Sequence, residues 1–334
     1  MRIFILGASE TLWLTARHLH FSCGCTIVGV LTRKSSIHDG RTENDFKALA
    51  DEFGAPFLLR EELDAAASAM LAGSDADVCV AANWSGSMEV VATHFPLGVL
   101  TPTLGDPRRE TGSDIDVWSI LLGWQELNLS VFHVAQADGQ TRVLPVSATM
   151  SLDSDATIAD IRRFSESRIP ALVSDAVDHM QKNGSPSMQP YEAAGAQRFY
   201  RLDARDRRID WRQPAEWILA MIKAFTRPLP GAYTYVRDGE GRLVKLHVWR
   251  ARKVAGQRNS HGPAGWIVHC RDDSGEAHVL TGSGVLALQS VSENSDSVWF
   301  EPGKAWKGER VRLGLDAEDE VFHLLEQRIL AGPR

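Results

Sequence analysis

The chain has 334 residues, 44% hydrophobic and 24% charged, and a formal net charge of -7. That length holds two domains with sizeable cores, and the acidic balance argues against a nucleic-acid footprint over the whole surface while leaving room for a local basic patch. No apolar run approaches a membrane span, MRIFILG at the start is too short for a signal-peptide core, and four cysteines without a Cys-x-x-Cys pair read as reduced, buried thiols of a cytoplasmic protein.

In chain order, Ile3 to Leu6 is a continuous apolar run closed by Gly7, as expected of a strand buried on both faces. A helical stretch to about Phe21 follows, then strands at Thr26 to Leu31, Pro56 to Leu59, Asp77 to Ala82 and Gly98 to Leu100, with a helix at Asp45 to Phe53 and further helices in the intervals. Such alternation predicts a Rossmann-like α/β domain with a mostly parallel sheet and right-handed crossovers. Leu129 to Ala135 and Arg142 to Thr149 read as a hairpin through Asp138-Gly139. Thr157 to Lys182 is helical, with Pro170 predicting a break or kink. The predicted division is a first domain over 1–182, a Gly/Pro/Ser-rich linker over 183–206, a small β-barrel over 207–315, and a terminal helix and tail over 316–334. Within the barrel region Asp210 is placed as the cap of a helix through Phe225, ahead of five short strand runs from Ala232 to Val291.

The stretch IDWRQPAEWILAMIKAFTRPLPGAYTY from Ile209 to Tyr235 carries Ile-Asp-Trp, Ala224-Phe225 and Pro228-x-Pro230-Gly231-Ala232-Tyr233 in one order and spacing. It resembles the carboxyl-terminal half of the methionyl-tRNA formyltransferase superfamily, which also includes the sugar N-formyltransferases. The resemblance runs from Met1 to about Val291. It implies a formyltransferase fold followed by an OB-like barrel. These residues report on scaffold; the Pro-Gly-Ala-Tyr step is also a rigid turn feeding a strand.

The amino-terminal half departs from the family's pattern where its chemistry sits. Gly98-Val99-Leu100 matches the family strand, and without gaps Gly112, Trp118 and Gly123 fall on its later Gly, Trp and Gly. Thr101 stands at the position of the catalytic Asn and Thr103 at that of the catalytic His; Gly105 to Arg108 replaces Ser-Leu-Leu-Pro and Thr111 replaces Arg. The family's Asp aligns at Gly139, and Asp138 fills the role after a one-residue shift.

The activity the resemblance implies is formyl transfer from 10-formyltetrahydrofolate to an amine. It needs a general base, donors aimed at the tetrahedral oxygen, and a cleft that holds the folate. A threonine hydroxyl donates one hydrogen bond but does not exchange protons near neutral pH as imidazole does. His-to-Thr replacement therefore removes an effect on the order of a hundredfold or more.

The residues left to carry the reaction are few. Thr101 and Thr103 supply polar contacts. Asp138 or His133 is the base, His133 being otherwise an ordinary strand histidine. Asp106, with Asp114 and Asp116 downstream, is a relocated base, a cation-binding group, or a polar loop with a helix cap. Trp84 after the fourth strand, and Gly112, stand where the family contacts folate, with packing as the alternative for Trp84. Gly7-Ala8-Ser9 lacks a full GxGxxG pattern, which excludes a dinucleotide site, and His261, His269 and His278 lack metal-ligand spacing.

The balance of basic and acidic residues after the second strand bears on the acceptor. Arg33, Lys34 and Arg41 are balanced by Asp39, Glu43 and Asp45, a poor match for a phosphate backbone. The expectation is a formyltransferase-fold enzyme acting on a small-molecule amine in preference to a nucleic acid, with no membrane association and no metal. Two rivals keep the fold: acyl, carbamoyl or condensing chemistry with relocated acids, and a non-catalytic partner whose folate cleft is vestigial.

Overall fold

The computed structural model describes the chain except residues 37–38, 107–108, 135–140, 184–188, 191–194, 239, 256–260, 272, 295–297, 309, 315–320, 323–324, 326–328 and 330–334. The residues fall into two compact units. The first holds Met1–Asp116, Trp124–Asp153 and Asp160–Tyr200, and the second Val117–Gly123, Ser154–Ala159 and Arg201–Arg334.

In chain order the elements are β1 (Arg2–Gly7), α1 (Glu10–Arg17), β2 (Thr26–Thr32), α2 (Glu43–Phe53), β3 (Phe57–Leu59), α3 (Ala65–Gly73), β4 (Val78–Ala82), α4 (Met88–Ala92), β5 (Val99–Leu104), β6 (Glu110–Gly112), α5 (Ile115–Leu121), β7 (Glu126–Val134), β8 (Thr141–Ser151), α6 (Ile158–Asn183), β9 (Gln189–Pro190) and β10 (Gln197–Phe199). There follow α7 (Ala215–Phe225), β11 (Ala232–Arg237), β12 (Leu243–Lys253), β13 (Ile267–Cys270), β14 (Ala277–Leu280), β15 (Val285–Ser292) and α8 (Pro302–Ala305).

The first unit is built on an eight-stranded sheet in the order β3-β2-β1-β4-β5-β7-β8-β9. Strands β1 to β5 pair in parallel, and β7 and β8 return antiparallel. The central strands are apolar on both faces because both faces are covered: Ile3 through Leu6 and Val78 through Ala81 are buried. Gly7, at φ +108°, is needed where β1 meets β4, since a Cβ there would sit 1.9 Å from the Ala82 carbonyl oxygen. Ser9 caps α1 by accepting from the Leu12 amide at 3.0 Å, and Thr42 and Asp45 form a reciprocal capping box on α2.

Three local expectations meet competing physics. Helix α6 runs unbroken through Pro170, so the one backbone bond a proline removes is outweighed by burial of Ile169, Leu172, Val173, Ala176 and Val177. Asp210 does not cap the helix before Phe225. It pairs with Arg212, Nε to Oδ1 at 2.8 Å, and Pro214 holds the cap position of α7. Within the stretch read as linker, Gln197–Phe199 forms β10 and pairs in parallel with β6. The hairpin turn at Asp138-Gly139 and most of the 316–334 tail lie outside the described residues.

The second unit packs α7 against a five-stranded antiparallel sheet in the order β11-β12-β15-β14-β13. Trp211 is buried with its indole N–H donated to the Thr234 hydroxyl at 2.9 Å, which accounts for the Ile-Asp-Trp signature as scaffold. Glu276, 4% exposed, accepts from Arg252 Nε at 2.7 Å and from Gln289 at 3.1 Å. The Arg252 hydrogen bond holds its carboxyl down at about 2, against 4.5 ordinarily. A depressed acid contributes stability that is whole above its unfolded pKa and fades as pH falls through the folded one. The window is therefore about pH 4.5 down to about 2, and the contribution about 3 kcal/mol. Urea unfolding of Glu276→Gln is expected to show lower stability at neutral pH and a flatter acid limb. Superposition on the wild-type pH curve would remove this role.

Candidate functional site

Strand alternation sorts the candidate residues between the two faces of the sheet. Cys79 pairs with Val99 and Val80 with Leu100. Val99 shares a buried cluster with Cys79, Ala81, Trp84, Val91 and Phe95, whereas Leu100 belongs to the cluster on the other face with Leu129 and Val131. Thr101 and Thr103 alternate with Val99 along β5, so they point to the Trp84 side. Their partners on β7 are Phe132 and Ser130.

His133 stands opposite Leu100 and so belongs to the other face. It is buried and its Nε2 lies 2.6 Å from the Leu97 carbonyl oxygen, at the amino end of β5. The register thus brings Thr101, Thr103 and Trp84 to one face and places His133 elsewhere. Asp138 lies outside the described residues.

Two buried polar atoms on the Trp84 face have no hydrogen-bond partner among the described residues: Thr101 Oγ1 and Trp84 Nε1. A buried unsatisfied donor costs about 1–3 kcal/mol. Thr103 differs, its hydroxyl donating to the Leu104 carbonyl at 3.2 Å. The Trp84 ring itself packs in the cluster of Val91 and Phe95, the arrangement given above as the alternative to a folate contact.

The loop after β5 replaces an apolar turn with acids. Asp106 donates its amide to Glu110 Oε2 at 2.7 Å, and its carbonyl accepts from the Arg109 and Glu110 amides, both at 2.8 Å. Glu110 was not singled out from the sequence. Burial, aided by the charge of Asp106 and opposed by its amide hydrogen bond, pushes the Glu110 carboxyl up. Its position after an unfamiliar loop gave no periodic signal, because β6 is three residues long.

Gly112, at φ +112°, faces Phe199 in the β6–β10 pair, and a Cβ there would lie 1.9 Å from the Phe199 carbonyl oxygen. Close backbone approach explains this glycine without a ligand. Gly112→Ala is expected to cost about 2 kcal/mol or more, read as a lower urea midpoint. Unchanged stability would return Gly112 to a direct role in ligand contact.

A buried ionic cluster fixes the loops above the strand ends, and it too escaped the sequence reading. Asp39, 2% exposed, accepts from Arg33 NH2 at 2.8 and 3.0 Å, from the Ser36 amide at 2.6 Å and from Asn83 Nδ2 at 3.2 Å. Arg33 Nε also donates to the Asn83 carbonyl at 2.7 Å. Asn83 sits at φ +54°, a left-handed conformation Asn tolerates, and it immediately precedes Trp84. The pairing therefore joins the β2–α2 loop to the backbone that aims Trp84. Nearby, Arg41 pairs with Glu10, Nε to Oε2 at 2.7 Å, with its guanidinium 4.2 Å from the Trp13 ring centre. Among the described residues no group of three His, Cys, Asp or Glu is placed to hold a metal ion, and no helix is long and apolar enough to cross a membrane.

Residues 201–298 match the family described as formyl transferase, C-terminal domain. A methionyl-tRNA formyltransferase of Roseiflexus castenholzii is 27% identical over 303 residues, covering 87% of this chain and 91% of that protein. One from Coxiella burnetii is 26% identical over 237 residues, 71% of each. Among solved structures, HypX from Aquifex aeolicus in complex with tetrahydrofolic acid superposes with a TM-score of 0.57 at 16% identity, covering 92% of this chain. This chain spans about half of HypX, 48% of its length. WlaRD, a sugar 3N-formyl transferase solved in the presence of dTDP and 5-N-formyl-THF, gives 0.55 at 11% identity over 89% of this chain and 99% of WlaRD.

Proposed function

We propose that this chain, a member of the formyltransferase superfamily, transfers a formyl group from 10-formyltetrahydrofolate to an amine of a small metabolite. The observation that carries this is the unpartnered Thr101 hydroxyl, buried on β5 where the family keeps an oxyanion-binding Asn, in a chain similar to formyltransferases over 87% of its length. Bound 10-formyltetrahydrofolate supplies an electrophilic formyl carbon. Thr101 Oγ1 is free to donate to the oxygen that gains charge when the amine adds, and Trp84 Nε1 is a second unspent donor on the same face. Asp138 takes the amine's proton, since a threonine at 103 does not, and returns it to N10 as the formyl carbon–N10 bond breaks and tetrahydrofolate leaves. His133 has no part in this reading, because its face and its Leu97 partner keep it apart.

A small acceptor is favoured over tRNA because two of the three cations after β2 are already spent. Arg33 is taken by Asp39 and Arg41 by Glu10. Phosphate-backbone binding needs cations free to replace counterions. The relatives acting on methionyl-tRNA keep that acceptor as the second reading.

The test follows the absorbance of 10-formyltetrahydrofolate with purified protein and a panel of amines, nucleotide-linked amino sugars among them. Amine-dependent conversion is the expected result. Folate binding without turnover on any amine would leave a vestigial cleft, and no folate binding would overturn the reading.

A further inference from the structure

The second unit carries a cationic cluster that no part of formyl transfer uses. Ala232, Val236, Leu246 and Val248 face the core with α7, so Tyr233, Tyr235, Lys245 and His247 face the other side of β11 and β12. The segment before α7 runs along the free edge of β11. The Arg207 carbonyl accepts from the Tyr233 amide at 2.9 Å, and the Tyr233 carbonyl accepts from the Ile209 amide at 2.8 Å. Lys245 Nζ sits 3.9 Å from the Tyr233 ring centre.

Neither cation has a counter-charge in contact. Arg207 NH1 is buried with no hydrogen-bond partner, and among the described residues neither Arg207 nor Lys245 forms an ion pair. Burial holds the Arg207 guanidinium below its ordinary pKa; burial and then the charge of Arg207 do the same to Lys245. Asp203, the acid whose field reaches Arg207, is exposed, and its Oδ1 accepts from the amides of Arg205 at 2.5 Å and Asp206 at 3.3 Å. Burial also pushes the Tyr233 phenol up, so its hydroxyl stays a donor at neutral pH.

We propose that Arg207, Lys245 and the Tyr233 hydroxyl form a binding site for a phosphate-type oxyanion on the carboxyl-terminal unit. Arginine does not shed its charge, and Arg207 and Lys245 are half-buried with Arg207 Nη1 itself buried, so an unpaired charge there carries a desolvation cost that water only partly relieves. An oxyanion offsets that cost at both cations at once. Phosphate suits the set better than carboxylate, because its oxygens accept from a guanidinium, an ammonium and a phenol together. Two cations and a phenol suffice for a single phosphoryl group, free or on a small molecule, while Arg208, 5.6 Å from the Tyr235 ring centre, adds positive charge nearby.

The test uses the full chain and needs no formyl transfer, so its failure is separate from failure of the proposed activity. Inorganic phosphate is titrated against potassium chloride of matched ionic strength while Tm is followed. A saturable, phosphate-specific rise is expected. Arg207→Met and Lys245→Met should each weaken binding by at least about tenfold, and Arg207→Lys should retain part of it. Without phosphate, Arg207→Met should melt at or above the wild-type Tm, because it removes an unpaired buried charge; a residue serving only the scaffold would melt lower. A nucleoside diphosphate binding more tightly than phosphate identifies a phosphorylated metabolite as the ligand, and equal binding identifies free phosphate. No phosphate-specific shift, or unaltered binding in both methionine variants, overturns the site. So does single-stranded RNA binding that is lost in the same variants with a salt slope of several charges.

Discussion

Asp138→Asn is expected to lower kcat for formyl transfer on the order of a hundredfold or more while leaving folate affinity near wild type. The amine must lose a proton as it adds to the formyl carbon. Of the family's three polar residues, two are threonines here, and a hydroxyl does not carry protons at neutral pH. His133 cannot substitute from the opposite face of β7. Glu110 is the informative control, since burial raises its carboxyl toward the range where a base works well. If Asp138→Asn is silent and Glu110→Gln abolishes turnover, the base has moved into the loop after β5. A linked gain is expected from Thr103→His, which restores an imidazole beside the unpartnered Thr101 hydroxyl and should raise kcat.

Asp39→Ala is expected to destabilise the protein by about 3–5 kcal/mol, the cost of leaving one member of a buried ion pair alone. The Arg33 and Asp39 side chains are 14% and 1% exposed, so water does little to replace the lost partner. The same change frees the Ser36 amide and Asn83 Nδ2, and loosens the turn that presents Trp84. Folate affinity should fall along with stability. Adding Arg33→Met should recover much of the loss, because the orphaned charge is then gone, and the cycle measures the coupling. A loss of under about 1 kcal/mol in Asp39→Ala would show that solvent screens this pair as it does surface pairs.

The sheet was legible because its strands are buried on both faces, and runs such as Ile3 to Leu6 have no other economical explanation. The carboxyl-terminal domain was legible because Trp211, Gly231 and Tyr233 meet specific partners at fixed spacing. Register was not legible. Whether His133 joins Thr101 depends on one residue of offset between β5 and β7, and a one-residue slip reverses every face. The Arg33 and Asp39 charges were visible but read as cancelling in solution, whereas they are buried and hold two loops together. Neither Pro170 nor the strand at Gln197–Phe199 follows local propensity; tertiary packing decides both. Arg207 gave no sequence signal, since it stands among Arg201, Arg205 and Arg208 interleaved with Asp203 and Asp206, a mixed charge run that ordinarily reads as a solvated face.

The most direct test of the account uses a carbon-13 formyl label on 10-formyltetrahydrofolate, with small amines and methionyl-tRNA offered together and each acceptor weighed by mass spectrometry. The label should appear on a small amine, in wild type and more quickly in Thr103→His. Label confined to methionyl-tRNA, or found on no acceptor while folate is bound, would contradict a small-molecule formyltransferase working without an imidazole on β5.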